Sequence, residues 1–250
     1  MAGAAVLGRL TWTVATVAEV VPETARVKSL LLDIPQWPGH RSGQHVDVRL
    51  TAEDGYQAQR SYSIASPPED DRVALTVERL EDGEVSPYLV DELRPGDGLE
   101  LRGPIGGYFV WEAGEGGRLQ LVAGGSGVVP LMAMLRHRAA AGGAAPASLL
   151  YSARSSEAII YREELERLAS AGDGLAVTFT LTRAQPAGWA GYARRVDREM
   201  LEEIFGGPED EATTFVCGGT GFVESAADGL VELGYDPGRI RTERFGPTGG

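Results

Sequence analysis

Leu121 to Pro130 reads LVAGGSGVVP, and the reading of these ten residues decides the fold. Apolar residues run into Gly124, Gly125, Ser126 and Gly127, and a helical pattern carrying Pro130 follows at once. A strand that turns through glycine into a helix gathers backbone N–H groups at the helix N-terminus, where their partial positive charge suits a diphosphate. The spacing is not G-x-G-x-x-G, and no Lys-Ser/Thr pair follows to make a P-loop. A tight turn that holds no ligand is an equally good account of the stretch alone.

Towards the C-terminus the same alternation repeats. LQLVA leads to VVPLMAMLRHRAAA, SLLYS to IIYREELERLAS, VTFTLT to VDREMLEEIF, and TTFVCG to VESAADGLVELG. Strands alternating with helices predict a parallel sheet covered on both faces. Towards the N-terminus the period changes to two. Val46, Val48 and Leu50 alternate with His45, Asp47 and Arg49, and Val73, Leu75 and Val77 with Ala74, Thr76 and Glu78. Short strands separated by EDG, PPEDD and RPGDG predict a small antiparallel barrel. The glycine-rich EAGEGGR, Glu112 to Arg118, marks the boundary. The expectation is a two-domain β plus α/β chain, with an antiparallel β-barrel over residues 1–112 and a Rossmann-like parallel-sheet domain over 118–250.

Composition narrows the chemistry. A formal charge of −13 over 250 residues opposes binding to nucleic acid. One cysteine, Cys217, with three scattered histidines (His40, His45, His137) provides neither a disulfide nor an iron–sulfur or zinc site, so no metal is expected. MAGAAVLGRL carries no basic leader and no segment nears about 18 uninterrupted apolar residues. A cytoplasmic protein without membrane insertion, poorly ordered at both termini and acting as a monomer, is expected.

Two further segments carry polar chemistry. In GEVSPYLVDEL, Ser86 is a good N-cap with Pro87 at the first helical position, so the N–H groups of Glu84, Val85 and Ser86 are available to a phosphate. An ordinary capped helix is the plainer alternative. RSYSIAS, Arg60 to Ser66, offers Arg60 to a phosphate and Tyr62 to a planar ring, against a hairpin strand with a surface arginine.

RSYSIAS, GPIGGYFVW, LVAGGSGVVPLMAML, FVCGGTGFVES and TERFG, in this order, resemble the motifs of the ferredoxin–NADP reductase family of flavoproteins. The resemblance spans roughly residues 10–247. It implies that Arg60 binds the diphosphate of a flavin, that Tyr62 packs on the isoalloxazine, that Ser63 lies near its N5, and that Ser61 belongs to the same motif. It implies that the stretches around Thr76, Val77 and Glu78 and around Glu84, Val85 and Ser86 hold ribityl and diphosphate. The second diphosphate site favours FAD over FMN. On the nucleotide side it assigns Gly124, Gly125, Ser126, Gly127 and Pro130 to the dinucleotide loop, with Ser126 touching both cofactors. Cys217 and Gly218 lie beside the nicotinamide, and Ser63, Cys217 and Glu243 surround the hydride path. Phe245 resembles the aromatic that covers the flavin, although here the chain runs on through GPTGG.

Nucleotide choice rests on arginines. YSARSSE presents Ser152, Arg154, Ser155 and Ser156 before its first acid, Glu157, and LTR places Thr182 and Arg183 where NADPH-using relatives carry a Ser-Arg pair. Arg194 or Arg195 follows in GYARRV. Guanidinium forks suit a 2′-phosphate, which favours NADPH over NADH; solvated loop arginines are the bland alternative. No four-cysteine ferredoxin segment accompanies the chain, so the implied acceptor is a separate ferredoxin, haem protein or oxygenase component. An acidic acceptor requires a local basic patch near Arg60, Arg79 or Arg102. Reduction of free flavin or quinone, and a flavin electron-transfer subunit that has lost nicotinamide chemistry, stay open as alternatives.

Overall fold

A computed structural model describes residues 10–143, 145–208 and 211–246. Residues 1–9 and 247–250, the ends expected to be poorly ordered, lie outside the described residues.

Period-two alternation builds the first sheet. β1 (Thr13–Thr24), β2 (Val27–Asp33), β3 (His45–Thr51), β4 (Gln57–Ser63), β5 (Val73–Glu78) and β6 (Gly98–Ile105) form a six-stranded antiparallel sheet in the order β4-β3-β6-β1-β2-β5. Just past β4, Ile64 bridges to Leu75 and the Ala65 N–H donates to the Ala74 carbonyl at 2.7 Å, which brings the last strand back onto the first and closes the barrel. Val46, Val48, Leu75, Val77, Leu99 and Leu101 fill it and are essentially without solvent contact.

GEVSPYLVDEL departs from the capped helix expected. Tyr88–Glu92 is one π-helical turn, in which the Leu93 N–H reaches the Tyr88 carbonyl five residues back. Val85, Leu89, Val90 and Leu93 anchor the segment in the barrel core. Ser86 does not cap it: the Ser86 hydroxyl accepts from the Leu80 N–H at 3.0 Å.

The second sheet is wholly parallel. β7 (Leu119–Gly124), β8 (Ala147–Ala153), β9 (Leu175–Leu181), β10 (Thr213–Gly219) and β11 (Ile240–Phe245) stand in the order β11-β10-β7-β8-β9, with α1 (Val128–Ala140), α2 (Arg162–Ala169), α3 (Arg198–Phe205) and α4 (Thr220–Glu232) as connections. β11 is invisible to periodicity because IRTERF buries only Ile240; its six-residue register with β10 holds it. α2 begins later than IIYREELERLAS suggests, because Ile159, Ile160 and Tyr161 are buried ahead of it and Tyr161 turns at φ 58°. The strand order reverses between β7 and β10, and in open α/β sheets ligands bind at the carboxyl ends beside such a reversal.

The barrel and the parallel sheet share packing. The Phe109 and Phe215 rings meet edge to face at 5.2 Å, and Trp111 stands 5.7 Å from the His137 ring. Arg136 of α1 donates to the Ala65 carbonyl at 2.7 Å and forms a two-pronged pair with Glu164 of α2. No helix among the described residues is long and apolar enough to cross a membrane.

Candidate active site

Alternation along β4 sorts the residues of RSYSIAS. Arg60 and Tyr62 stand opposite Val48 and Val46 of β3, whereas Ser61 and Ser63 stand opposite Asp47 and His45. The structure therefore parts Ser61 from Arg60 and Tyr62: its hydroxyl donates to Asp47 Oδ1 at 2.7 Å, and Arg102 pairs with the same carboxylate. Arg60 meets Glu84 instead, at 2.6 Å, and Glu84 also accepts from the Tyr56 hydroxyl at 2.7 Å. Burial pushes the Tyr62 phenol well above its ordinary range. Ser63 is half-buried, and its hydroxyl takes no partner among the described residues. Thr76 is buried, with its hydroxyl engaged by Ser29 at 2.7 Å and by the Tyr161 hydroxyl. Val77 and Val85 point into the barrel, so only their backbone is available to a ligand.

The glycines of the β7–α1 turn have distinct reasons. A Cβ at Gly127 would lie 2.1 Å from the Cys217 carbonyl oxygen, so the turn packs directly on the backbone of β10. A Cβ at either Gly124 or Gly218 would strike the Phe222 ring at 2.7 Å. Gly125 differs: it turns at φ 57° and nothing lies within 4 Å of where its Cβ would be. It is the open member of the turn. Pro130 is buried in the first turn of α1, where a missing N–H costs no helical bond. Ser126 reaches across to the barrel, its hydroxyl donating to Glu78 Oε2 at 2.7 Å. Beside this turn Cys217 is in register with Ala123 on one side and Glu243 on the other. Burial pushes the Cys217 thiol far up, helped by the neighbouring Glu243, and burial raises the Glu243 carboxyl to about 7.

The arginines fall into two groups. The Arg183 N–H donates to the Arg154 carbonyl at 2.9 Å, which joins the ends of β8 and β9, and Thr182 is tied by its hydroxyl to the Ala153 carbonyl at 3.2 Å. Thr180 bridges in parallel to Tyr192, so Arg183 and Arg195 each follow three residues beyond one paired position. Arg154, Arg183 and Arg195 are exposed and take no ion-pair partner among the described residues. Arg194, the alternative to Arg195, is held by Asp197, Glu199 and Glu203. Arg79 and Arg102 are also spoken for, by Asp91 at 2.7 Å and Asp47 at 2.9 Å, so with Arg60 on Glu84 these three make no basic patch. Phe245, 39% exposed, ends β11 opposite Gly219. Phe222 lies in the FVCGGTGFVES motif, though its packing on Gly124 and Gly218 was not foreseen, whereas Tyr56 and Tyr161 escaped sequence reasoning; only the positive φ of Tyr161 marks it, and that is a property of the fold.

Residues 13–110 match the family described as oxidoreductase FAD-binding domain, and residues 121–228 the oxidoreductase NAD-binding domain. The chain is 37% identical over 236 residues to the Ferredoxin–NADP reductase B of Sorangium cellulosum, covering 92% of this chain and 91% of that one. The chain belongs to the ferredoxin–NADP reductase family. This reductase is also 32% identical to the glycine betaine monooxygenase reductase subunit of Pseudomonas aeruginosa, over 92% of its own length but 63% of the subunit's. Its fold matches the CS-b5R domains of human Ncb5or with a TM-score of 0.83 at 22% identity, over 94% of the reductase and 70% of that chain. It is an FAD-dependent NAD(P)H oxidoreductase.

The reductase has the features such cofactors need. Gly125 leaves the turn open for close approach of a diphosphate, and the glycine packing of Gly124, Gly127 and Gly218 brings the ends of β7 and β10 together at the reversal of strand order. Three uncommitted guanidinium groups stand at the ends of β8 and β9 and beside them, which suits the far end of a nucleotide.

Proposed function

We propose that the protein takes electrons from NADPH through FAD and delivers them to a separate redox protein, a ferredoxin or an oxygenase component. The observation that carries this reading is the 2.7 Å hydrogen bond from Ser126 to Glu78, which sets the nucleotide turn directly against β5 of the flavin barrel. Similarity to a ferredoxin–NADP reductase and to an oxygenase reductase subunit supports the choice of acceptor class.

When bound, FAD accepts two electrons together from the nicotinamide and releases them one at a time. The chain's own part is positional. Arg60 binds the flavin diphosphate in exchange for Glu84, Tyr62 packs on the ring, and Ser63 offers a free hydroxyl at the reacting edge. Backbone at Ser61, Thr76, Val77, Glu84, Val85 and Ser86 completes the cradle. Gly124, Gly125, Ser126, Gly127 and Pro130 shape the dinucleotide turn. Cys217 stays a neutral thiol and with Gly218 forms a small apolar wall beside the nicotinamide. Glu243 holds a proton at its carboxyl near neutrality. Phe245 covers the flavin and yields to the nicotinamide.

Arg154, Arg183 and Arg195 receive the 2′-phosphate, which makes NADPH the preferred donor. Because Arg60, Arg79 and Arg102 are each neutralised, an acceptor without strong negative charge fits this surface better than a highly acidic one. The protein works as a monomer in the cytoplasm. The test is anaerobic absorbance of the purified protein with stoichiometric NADPH or NADH. Rapid bleaching of bound FAD by NADPH and slow bleaching by NADH is expected; a flavin band untouched by either overturns the reading.

A further inference from the structure

Glu78 is the last residue of β5, whose end faces the β7–α1 turn, and its carboxylate accepts the Ser126 hydroxyl at 2.7 Å. Among the described residues no arginine, lysine or histidine stands at ion-pair distance from it. Glu78 thus puts an unneutralised negative charge on the one hydroxyl of a turn whose neighbouring residue, Gly125, is open and suited to an anion. Its half-buried position limits screening by salt without abolishing it.

We propose that Glu78 sets the affinity of the nucleotide site: its carboxylate occupies Ser126 and opposes the dinucleotide's diphosphate, so that binding must displace it and the oxidised nucleotide leaves readily. This rests on the nucleotide turn proposed above. Removing one of two like charges that meet at a partly solvated protein surface changes an affinity by about tenfold.

The experiment titrates the FAD-loaded full chain with NADP+ and with 2′-phospho-ADP-ribose, which lacks the nicotinamide, reading flavin difference absorbance and heat. Parent, Glu78→Gln and Glu78→Asp are compared at low and high salt. Glu78→Gln keeps the shape and an acceptor for Ser126 but loses the charge; it is expected to bind both ligands about tenfold more tightly at low salt, the gain shrinking to about twofold at high salt. Glu78→Asp keeps the charge while withdrawing from Ser126 and is expected to stay within about twofold of the parent. Glu78→Gln binding no more tightly than a parent that does bind, or Glu78→Asp gaining as much as Glu78→Gln, overturns the role given to the charge. A parent that retains FAD yet binds neither ligand overturns the nucleotide turn itself, and this inference with it.

Discussion

Cys217 and Glu243 are direct partners across the β10–β11 ladder, so a buried thiol and a half-buried carboxyl share the carboxyl end of the sheet where β7 and β10 part. Burial, and secondarily the Glu243 carboxylate, make the Cys217 thiol harder to ionise, and burial by itself raises the Glu243 carboxyl. The site is kept nearly neutral beside the place proposed for the nicotinamide.

The Glu243 carboxyl, raised to about 7 by burial, titrates in the working range of the enzyme. A carboxyl whose folded value lies above its unfolded value stabilises the fold fully below the unfolded value near 4.5, and that contribution is lost as pH rises through about 7. Thermal stability is therefore expected to decline between about pH 4.5 and 7 in the parent and to be flatter in Glu243→Gln. The rate of flavin reduction by NADPH, followed by stopped flow, should lose an inflection near pH 7 in the same variant.

Ser63 has a hydroxyl without a partner among the described residues. Ser63→Ala is expected to keep its FAD and its fold while reducing flavin about 10- to 100-fold more slowly with NADPH. Single-turnover absorbance checks this; an unchanged rate removes Ser63 from the reacting edge.

The arginines should separate in their kinetics. Arg183→Ala is expected to raise KM for NADPH about 10- to 100-fold, the worth of a charge-assisted hydrogen bond, with little change for NADH. Arg194→Ala, already held by Asp197, Glu199 and Glu203, should leave the NADPH-to-NADH ratio unchanged. Steady-state kinetics with both donors decides between them.

Gly125 and Gly127 are two residues apart and should fail differently. Gly127→Ala sets a methyl 2.1 Å from the Cys217 carbonyl oxygen and must push the turn off β10, so destabilisation of several kcal/mol is expected, seen as a fall in melting temperature. Gly125→Ala meets no atom and bears only the cost of a left-handed conformation, about 1 kcal/mol. It should fold but bind nucleotide more weakly, as flavin difference titration would register.

Much of the fold was legible in the chain because periodicity records which side of an element is buried. Val46, Val48 and Leu50 announce a barrel strand, and LVAGGSGVVP announces a strand, a turn and a helix, because each pattern is complete within a few residues. β11 was not legible: with Ile240 as its only buried residue, IRTERF becomes a strand through the backbone groups of β10. The expected cap at Ser86 failed for a similar reason, since the Leu80 N–H competes for its hydroxyl and core anchoring shapes the turn.

By itself the sequence determined the two kinds of sheet, their order along the chain, the glycine turn and the family motifs, all of which are matters of local spacing. Tertiary structure alone decided that Ser61 turns to Asp47 while Arg60 meets Glu84, and that Ser126 finds Glu78. The reason is physical. Periodicity follows from burying one face of a single element, whereas the partner of a charge or a hydroxyl is whichever group the packing of distant elements brings within about 3 Å.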